Sequence, residues 1–170
     1  NNKKIIEIGG PSLHNYWIPI FYDISSEIDI LNYSDENNIS LNFGCGLNNK
    51  TLNNKCNFIR TNNTEEYILQ NLNKYDVLVT SHVLEHQANP LKQLLLWKKL
   101  LKPNGILLAT VAGLCQISRY DMNRWGDYWR FTDLSVKKIF SNVFKNQIQV
   151  QTFGNVLSAT ALLHGISSTE

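Results

Sequence analysis

The sequence predicts an α/β fold, a three-layer sandwich around a mostly parallel sheet. Short β-branched apolar runs close on glycine or polar turns at Lys4–Ile8, Asp76–Thr80 and Ile106–Val111. Between the last two lies a helical stretch with a start signal, Asn89-Pro90, and a stop signal, Pro103-Asn104-Gly105. Strands that alternate with helices imply parallel pairing. At 170 residues the chain suffices for one ordinary domain and not for two. Residues 1–170 are therefore expected to form a single domain. The missing initiator Met suggests that the numbering begins inside a longer chain.

Each element follows from local signals. Lys4–Ile8 is a buried strand that ends at Gly9-Gly10-Pro11. The aromatic stretch Tyr16, Trp17, Phe21 and Tyr22 is broken by Pro19, which argues against a long helix. Glu27–Leu31 is apolar enough for a second strand. Asn32–Thr64 is rich in Asn, Ser and Gly and reads as an irregular excursion around a third strand near Cys56–Ile59, with a short helix at Glu65–Leu72. Asp76–Thr80 is the fourth strand. Asn89 can cap free N–H groups and Pro90 suits a first helical position. On that helix Leu91, Leu94, Leu95, Trp97 and Leu101 share a broad face, with Lys98 interrupting it. Ile106–Val111 is the fifth strand. Thr132 or Asp133 caps a helix whose Val136, Ile139, Phe140, Val143 and Phe144 fall on one stripe. Gln147–Phe153 alternates like a half-exposed strand, and Asn155–His164 reads as a last helix.

Composition excludes several classes. Net charge is +2 with no block of like charges, so no dedicated nucleic-acid surface is expected. No apolar run is long enough to span a membrane. Cys45, Cys56 and Cys115 are odd in number and include no C-x-x-C pair, which suits reduced thiols and a cytoplasmic location.

Parallel sheets bind ligands at the carboxyl ends of their strands, so chemistry is expected after Ile8, Leu31, Thr80 and Val111. Gly9 and Gly10 let a backbone approach a ligand closely. Asp29, on the second strand, can accept the hydroxyls of a ribose or be a solvated carboxylate.

The fourth strand is the informative one. Tyr75–His86, with Asn89-Pro90-Leu91, Trp97–Leu101 and Lys102-Pro103-Asn104-Gly105, resembles the methyltransferases dependent on S-adenosylmethionine (SAM) whose fourth strand ends in S-H-V-L-E-H and whose next helix leads to K-P-G-G. Glu7–Ser12, Ile18–Tyr22 and Asp29 are similar to a subgroup of these type 11-like enzymes with E-I-G-G-P-S, then I-P-x-Y and an acid. The resemblance covers most of the chain. It is strong over Tyr75–Val111 and poor over Asn37–Asn73. It implies a class I, Rossmann-like fold, SAM as cofactor and S-adenosylhomocysteine (SAH) as product. By resemblance, Glu7, Gly9, Gly10 and Pro11 line the methionine and ribose part of SAM, and Asp29 holds the ribose. Thr61 and Asn62 stand near the adenine, where the family usually has an acid. Ser81, His82 and Val83 border the sulfonium.

Two further motifs compete. His82-Val83-Leu84-Glu85-His86 matches H-x-x-E-H, a zinc-hydrolase pattern that needs both histidines on one helical face. His82 directly follows an apolar strand, so the pair is expected to straddle a bend, and no metal is expected. Gly44-Cys45-Gly46 resembles a methyltransferase glycine loop, yet leaves too few residues before Asp76 for two crossovers.

Arg119–Thr132 is dense in aromatics and charge. Tyr120, Arg124, Trp125, Trp129 and Arg130 suit a flat polar acceptor, a small molecule or a sugar; the competing reading is a structural lid with Arg130 paired to Asp127 or Asp133. Methyl transfer to oxygen calls for a base; His86 is the expected one, ahead of Asp121, and His82 is the other candidate near the site by resemblance. The expected activity is O-methylation of a small molecule or glycan, and the subgroup associates with polysaccharide biosynthesis. The alternatives are a SAM-binding module without turnover, and the zinc hydrolase. The family closes its sheet with an antiparallel strand pair. Here one helix follows Gln147–Phe153, so the closing strand is expected to be missing, either because the chain was cut or because the edge is finished by a second copy or another domain.

Overall fold

The computed structural model describes residues 2–9, 24–33 and 56–166. Gly10, Pro11, the aromatic stretch at Tyr16–Tyr22 and the Gly44-Cys45-Gly46 motif lie outside the described residues. The chain forms two compact units. One gathers the chain through Ser81 together with Leu96–Thr110; the other gathers His82–Leu95 and the chain from Val111 onward.

The first unit is built on a five-stranded sheet. Its strands are β1 (Lys3–Ile8), β2 (Ser25–Tyr33), β3 (Cys56–Thr61), β4 (Tyr75–Ser81) and β5 (Leu101–Thr110). The order is β3-β2-β1-β4-β5 and every pairing is parallel. Ile5, Ile6, Ile28, Ile30, Leu31, Leu78 and Val79 are buried, as a sheet covered on both faces requires. Helix α1 (Thr64–Gln70) is capped by Asn63, whose Oδ1 accepts the Glu66 N–H at 3.1 Å.

Helix α2 (Pro90–Leu100) begins as the sequence predicts: Asn89 Oδ1 accepts the Lys92 N–H at 2.9 Å. Its buried positions are Pro90, Leu94, Leu96, Trp97 and Leu100, whereas Leu91 and Leu95 are exposed. The buried stripe is therefore rotated from the expected one. Helix α2 also ends at Leu100, and Leu101 already pairs with Tyr75. The next pair joins Val77 to Ile106, so Lys102–Gly105 forms an irregularity in β5. Asn104 sits there at φ 63°, a left-handed position that Asn tolerates better than most residues.

The second unit contains a 3₁₀ turn (Leu84–His86), α3 (Arg119–Met122), α4 (Asp133–Phe144) and α5 (Val156–Leu163). Thr132 and Ser135 form a reciprocal capping box on α4, and Asn155 and Ser158 form one on α5. On α4, Val143 is buried and Val136, Ile139, Phe140 and Phe144 are half-buried, while Lys137 and Lys138 face solvent. Gln147–Phe153 is not a strand. Alternation supplies two faces but no partner for the backbone, and no ladder forms on this segment. Among the described residues no helix is long and apolar enough to cross a membrane.

Candidate functional site

In the first unit the strand order reverses between β1 and β4, and open α/β sheets place ligands at such a switch point. Glu7 and Gly9 stand at the end of β1, whose last residue Ile8 is in register with Thr80. Gly9 has φ 81° and donates its N–H to the Leu31 carbonyl at 2.9 Å, a turn that a Cβ would strain. Glu7 is 3% exposed, and its Oε2 has no hydrogen-bond partner among the described residues. Burial pushes its carboxyl up from 4.5 to about 7. Ser81 closes β4 and its hydroxyl meets that of Thr110 at 2.8 Å. Thr61 closes β3, its hydroxyl accepts the Asn63 N–H at 3.0 Å, and Asn62 lies exposed between them.

Asp29 lies on the second strand as expected, but deep within it. Strand β2 runs four residues beyond it, to Tyr33, and Asp29 is in register with Ile6 and Asn57 in mid-sheet. Its carboxylate already accepts from Lys74 Nζ at 2.8 Å, Tyr75 Oη at 2.5 Å and Asn57 Nδ2 at 2.9 Å. Tyr67 extends the network through its hydroxyl, 2.6 Å from that of Tyr75. Burial works against the Asp29 charge, but these donors outweigh it and hold its carboxyl below the usual range. Burial, reinforced by Asp29, drives the Tyr75 phenol far up. Asp29 is a brace between β2, β3 and β4, with two donors on Oδ2 and one on Oδ1.

In the second unit His82 and His86 are both fixed through Nδ1. His82 adopts φ 52° and its Nδ1 lies 3.0 Å from Glu85 Oε1. This hydrogen bond raises the His82 pKa, with burial opposing it. His86 Nδ1 donates to the Gly126 carbonyl at 2.6 Å. Val83 precedes the 3₁₀ turn and its carbonyl accepts the His86 N–H. The histidine pair thus straddles a strand end and a 3₁₀ turn, not one face of an α-helix. Among the described residues no group of three His, Cys, Asp or Glu side chains could hold a metal ion.

The aromatic segment is internally braced. Asp127 and Arg130 form a bidentate pair, both contacts at 2.7 Å, and the guanidinium also reaches the carbonyls of Cys115, Gln116 and Trp129. Arg130 holds the Asp127 carboxyl down at about 2. Arg130, expected to touch an acceptor, is therefore occupied within the protein. Trp125 Nε1 donates to Asp121 Oδ1 at 3.1 Å, and Arg124 lies 3.4 Å over the Tyr120 ring. Asp121 is thus an orienting residue for Trp125. Trp129 Nε1 donates to the Gln87 carbonyl at 2.9 Å. The rings of Tyr120, Trp125, Tyr128 and Trp129 remain substantially exposed. The sequence offered Glu85 only as the acid of H-x-x-E-H and not as a partner of His82; its place three residues after His82 was the available signal.

An all-parallel sheet with this order, a glycine turn after β1 and a buried acid with an orphaned oxygen beside it define a nucleotide-type α/β protein. A ligand ammonium or hydroxyl can satisfy that oxygen, so Glu7 and Gly9 fit an adenosyl amino acid. Over residues 3–162 the chain matches the methyltransferase-domain family, and it belongs to that family, the class I SAM-dependent methyltransferases. SAM is its cofactor. Among solved structures, the CurJ carbon methyltransferase is 18% identical with a TM-score of 0.61, over 91% of this chain and 44% of that one. The trans-methyltransferase CalH, crystallised with SAH, is 18% identical with a TM-score of 0.50, over 64% of this chain and 31% of that one. The methyltransferase in complex with the Haloferax volcanii Trm112 activator is 13% identical with a TM-score of 0.61, over 94% of this chain and 76% of that one. The chain thus spans less than half the length of CurJ and of CalH. No curated protein sequence matches it significantly.

Proposed function

We propose that this methyltransferase methylates an oxygen of a small, flat, polar acceptor, with a sugar or glycan as the favoured class. The observation that supports this is the braced yet exposed aromatic segment. Trp125 and Trp129 have their indole N–H groups tied to Asp121 and Gln87, so their ring faces are presented at low entropic cost. Rings held in this way suit stacking on a sugar face, and a neighbouring Arg124 adds charge.

Glu7 and Gly9, with Gly10 and Pro11, are assigned to the methionine and ribose part of SAM, Thr61 and Asn62 to its adenine, and Ser81, His82 and Val83 to its sulfonium end. Asp29 is left out because its carboxylate already accepts from Lys74, Tyr75 and Asn57. Bound SAM supplies an electrophilic methyl group on a positively charged sulfur. The chain's residues align the acceptor, exclude water and take its proton. His82 and His86 each keep Nε2 for that purpose. A reducing cytoplasm suits the thiols of Cys56 and Cys115. A second copy or a further segment pairing along β5 would cover its exposed Ile106 and Leu108.

Calorimetry with SAH, followed by transfer of label from tritiated SAM to a panel of mono- and oligosaccharides, tests this reading. Micromolar SAH binding and labelled sugar are expected. SAH binding without label in any acceptor would favour a module without turnover, which the occupied Asp29 recommends as the second reading. Binding of neither SAM nor SAH would sink both.

A further inference from the structure

The five residues His82–His86 hold two imidazoles and one carboxylate, and the imidazoles are fixed by different acceptors. A carboxylate without a proton only accepts, so His82 Nδ1, 3.0 Å from Glu85 Oε1, carries the hydrogen and Nε2 keeps the lone pair. Glu85 is 3% exposed and its Oε2 has no partner among the described residues, whereas the His82 side chain is 57% exposed. A buried carboxylate therefore stands behind an open ring. The Glu85 main chain is also pinned, because its carbonyl accepts the N–H groups of Tyr128 at 3.0 Å and Trp129 at 3.2 Å. His82 keeps φ 52°, a conformation an L residue holds only when its surroundings fix it. His86 is held instead by a neutral acceptor, the Gly126 carbonyl.

We propose that Glu85 is a positioning residue for proton transfer: it holds His82 as the Nδ1–H tautomer, so that Nε2 of His82, rather than of His86, takes the proton of the acceptor hydroxyl. This rests on the methyltransferase reading above. As the acceptor oxygen bonds to the methyl carbon, the carbon–sulfur bond breaks and its electron pair stays on sulfur. The hydroxyl proton passes to His82 Nε2 and then to water. The positive charge that arises on the ring faces a carboxylate at His82 and only a carbonyl dipole at His86, and the carboxylate stabilises an imidazolium more strongly. Position agrees with charge: His82 is the first residue after β4, where parallel sheets bind ligands. The titratable groups near Glu85 are Arg130 and Cys115, both of which its field reaches, and Asp127, which is paired with Arg130 at 2.7 Å.

The test follows the imidazole nitrogens of the nitrogen-15-labelled full chain by NMR from about pH 5 to 9, with His82 assigned by the signals lost in His82→Gln. The expected result is a neutral His82 protonated at Nδ1, with a titration midpoint that falls by about one pH unit in Glu85→Gln. Glu85→Asp, which keeps the charge, should restore part of the difference and serves if the Gln variant fails to fold. With tritiated SAM and a labelled acceptor from the sugar panel, the acid limb of the pH–rate profile should move to lower pH with that midpoint. An Nε2–H tautomer in the wild-type protein, a midpoint unmoved by Glu85→Gln, or an acid limb that stays in place would overturn the proposal. Wild-type calorimetry with SAH on the same sample separates the two ideas. Failure to bind would remove the methyltransferase reading, while the tautomer measurement reports on the Glu85–His82 pair alone.

Discussion

Replacing Glu7 with Gln should make the cofactor-free protein more stable at neutral pH and above. Glu7 is 3% exposed with one oxygen unpartnered, and burial pushes its carboxyl from 4.5 up to about 7. A carboxyl whose folded pKa is raised contributes its full stability below the unfolded value, and loses it as pH rises through the folded value. Stability from Glu7 is therefore present below about pH 4.5 and gone above about pH 7. The gap of about 2.5 pH units, at about 1.36 kcal/mol each, amounts to about 3 kcal/mol. Gln keeps the size and has no proton to lose. Glu7→Gln should thus gain up to about 3 kcal/mol at about pH 8, or about 6–12 °C in Tm for a chain of this length. At about pH 4.5 the two proteins should be nearly equal. Urea midpoints measured across that range are the assay. Cofactor donors that reach Oε2 favour its ionised form, so SAH binding near pH 7 should release about half a proton from the wild type and none from the variant. Calorimetry in buffers of different ionisation enthalpy reads this. Urea midpoints of the two proteins that run parallel from about pH 5 to 8 would refute the burial argument.

Three further outcomes are expected. Asp29→Ala leaves Lys74 and the Tyr75 hydroxyl without their buried acceptor and should cost about 3 kcal/mol in urea unfolding, while SAH affinity changes less than about threefold; lost SAH binding at unchanged stability would restore Asp29 to the ribose. Because the Asp29 carboxyl is held below 3.8, its contribution is present above that pH and fades as pH falls further. Arg130→Lys cannot keep the two-pronged contact with Asp127 and three carbonyls, so amide exchange over residues 113–132 should accelerate by about tenfold or more. In Gly126→Ala the new Cβ would lie 2.2 Å from the Tyr128 ring at φ 90°, so the carbonyl that holds His86 should shift and the His86 imidazole signals should broaden, at a cost of about 1–3 kcal/mol; sharp, unmoved His86 signals would contradict this.

What the sequence disclosed was whatever depends on neighbours in the chain. The caps at Asn89, Thr132 and Asn155 act within three residues, and each is where local chemistry puts it. The β4 run and its helix were legible for the same reason. Partners distant in sequence were not. The donors to Asp29 lie 28 to 46 residues away, and nothing near Asp29 announces that Lys74 and Tyr75 will converge on it. The end of β2 was placed two residues early because Asn32 and Tyr33 have loop-like neighbours. Gln147–Phe153 alternates as strands do, yet a strand also needs a partner edge, which periodicity cannot supply. Leu91 and Leu95 misled because leucine marks apolarity and not orientation. Counting from Pro90 at helical spacing gives Leu94 and Trp97, which are buried, and Leu96 and Leu100 widen that buried face. The expected site residues are divided by the chain itself, with Glu7, Gly9, Thr61, Asn62 and Ser81 in one compact unit and His82, Val83, His86 and the aromatic segment in the other.

Strand β5 ends the sheet among the described residues and shows solvent two large aliphatic side chains, Ile106 and Leu108, 55% and 39% exposed. This gives the molecule a colloidal personality apart from its chemistry. A regular strand edge from Ile106 to Thr110 with sticky side chains is a template for its own kind, so concentration rather than temperature should limit how long a sample stays clear. A lysine at position 106 or 108 is where a protein chemist should begin, since it would discourage stacking of copies without disturbing the ends of β1 and β4, where the cofactor is assigned.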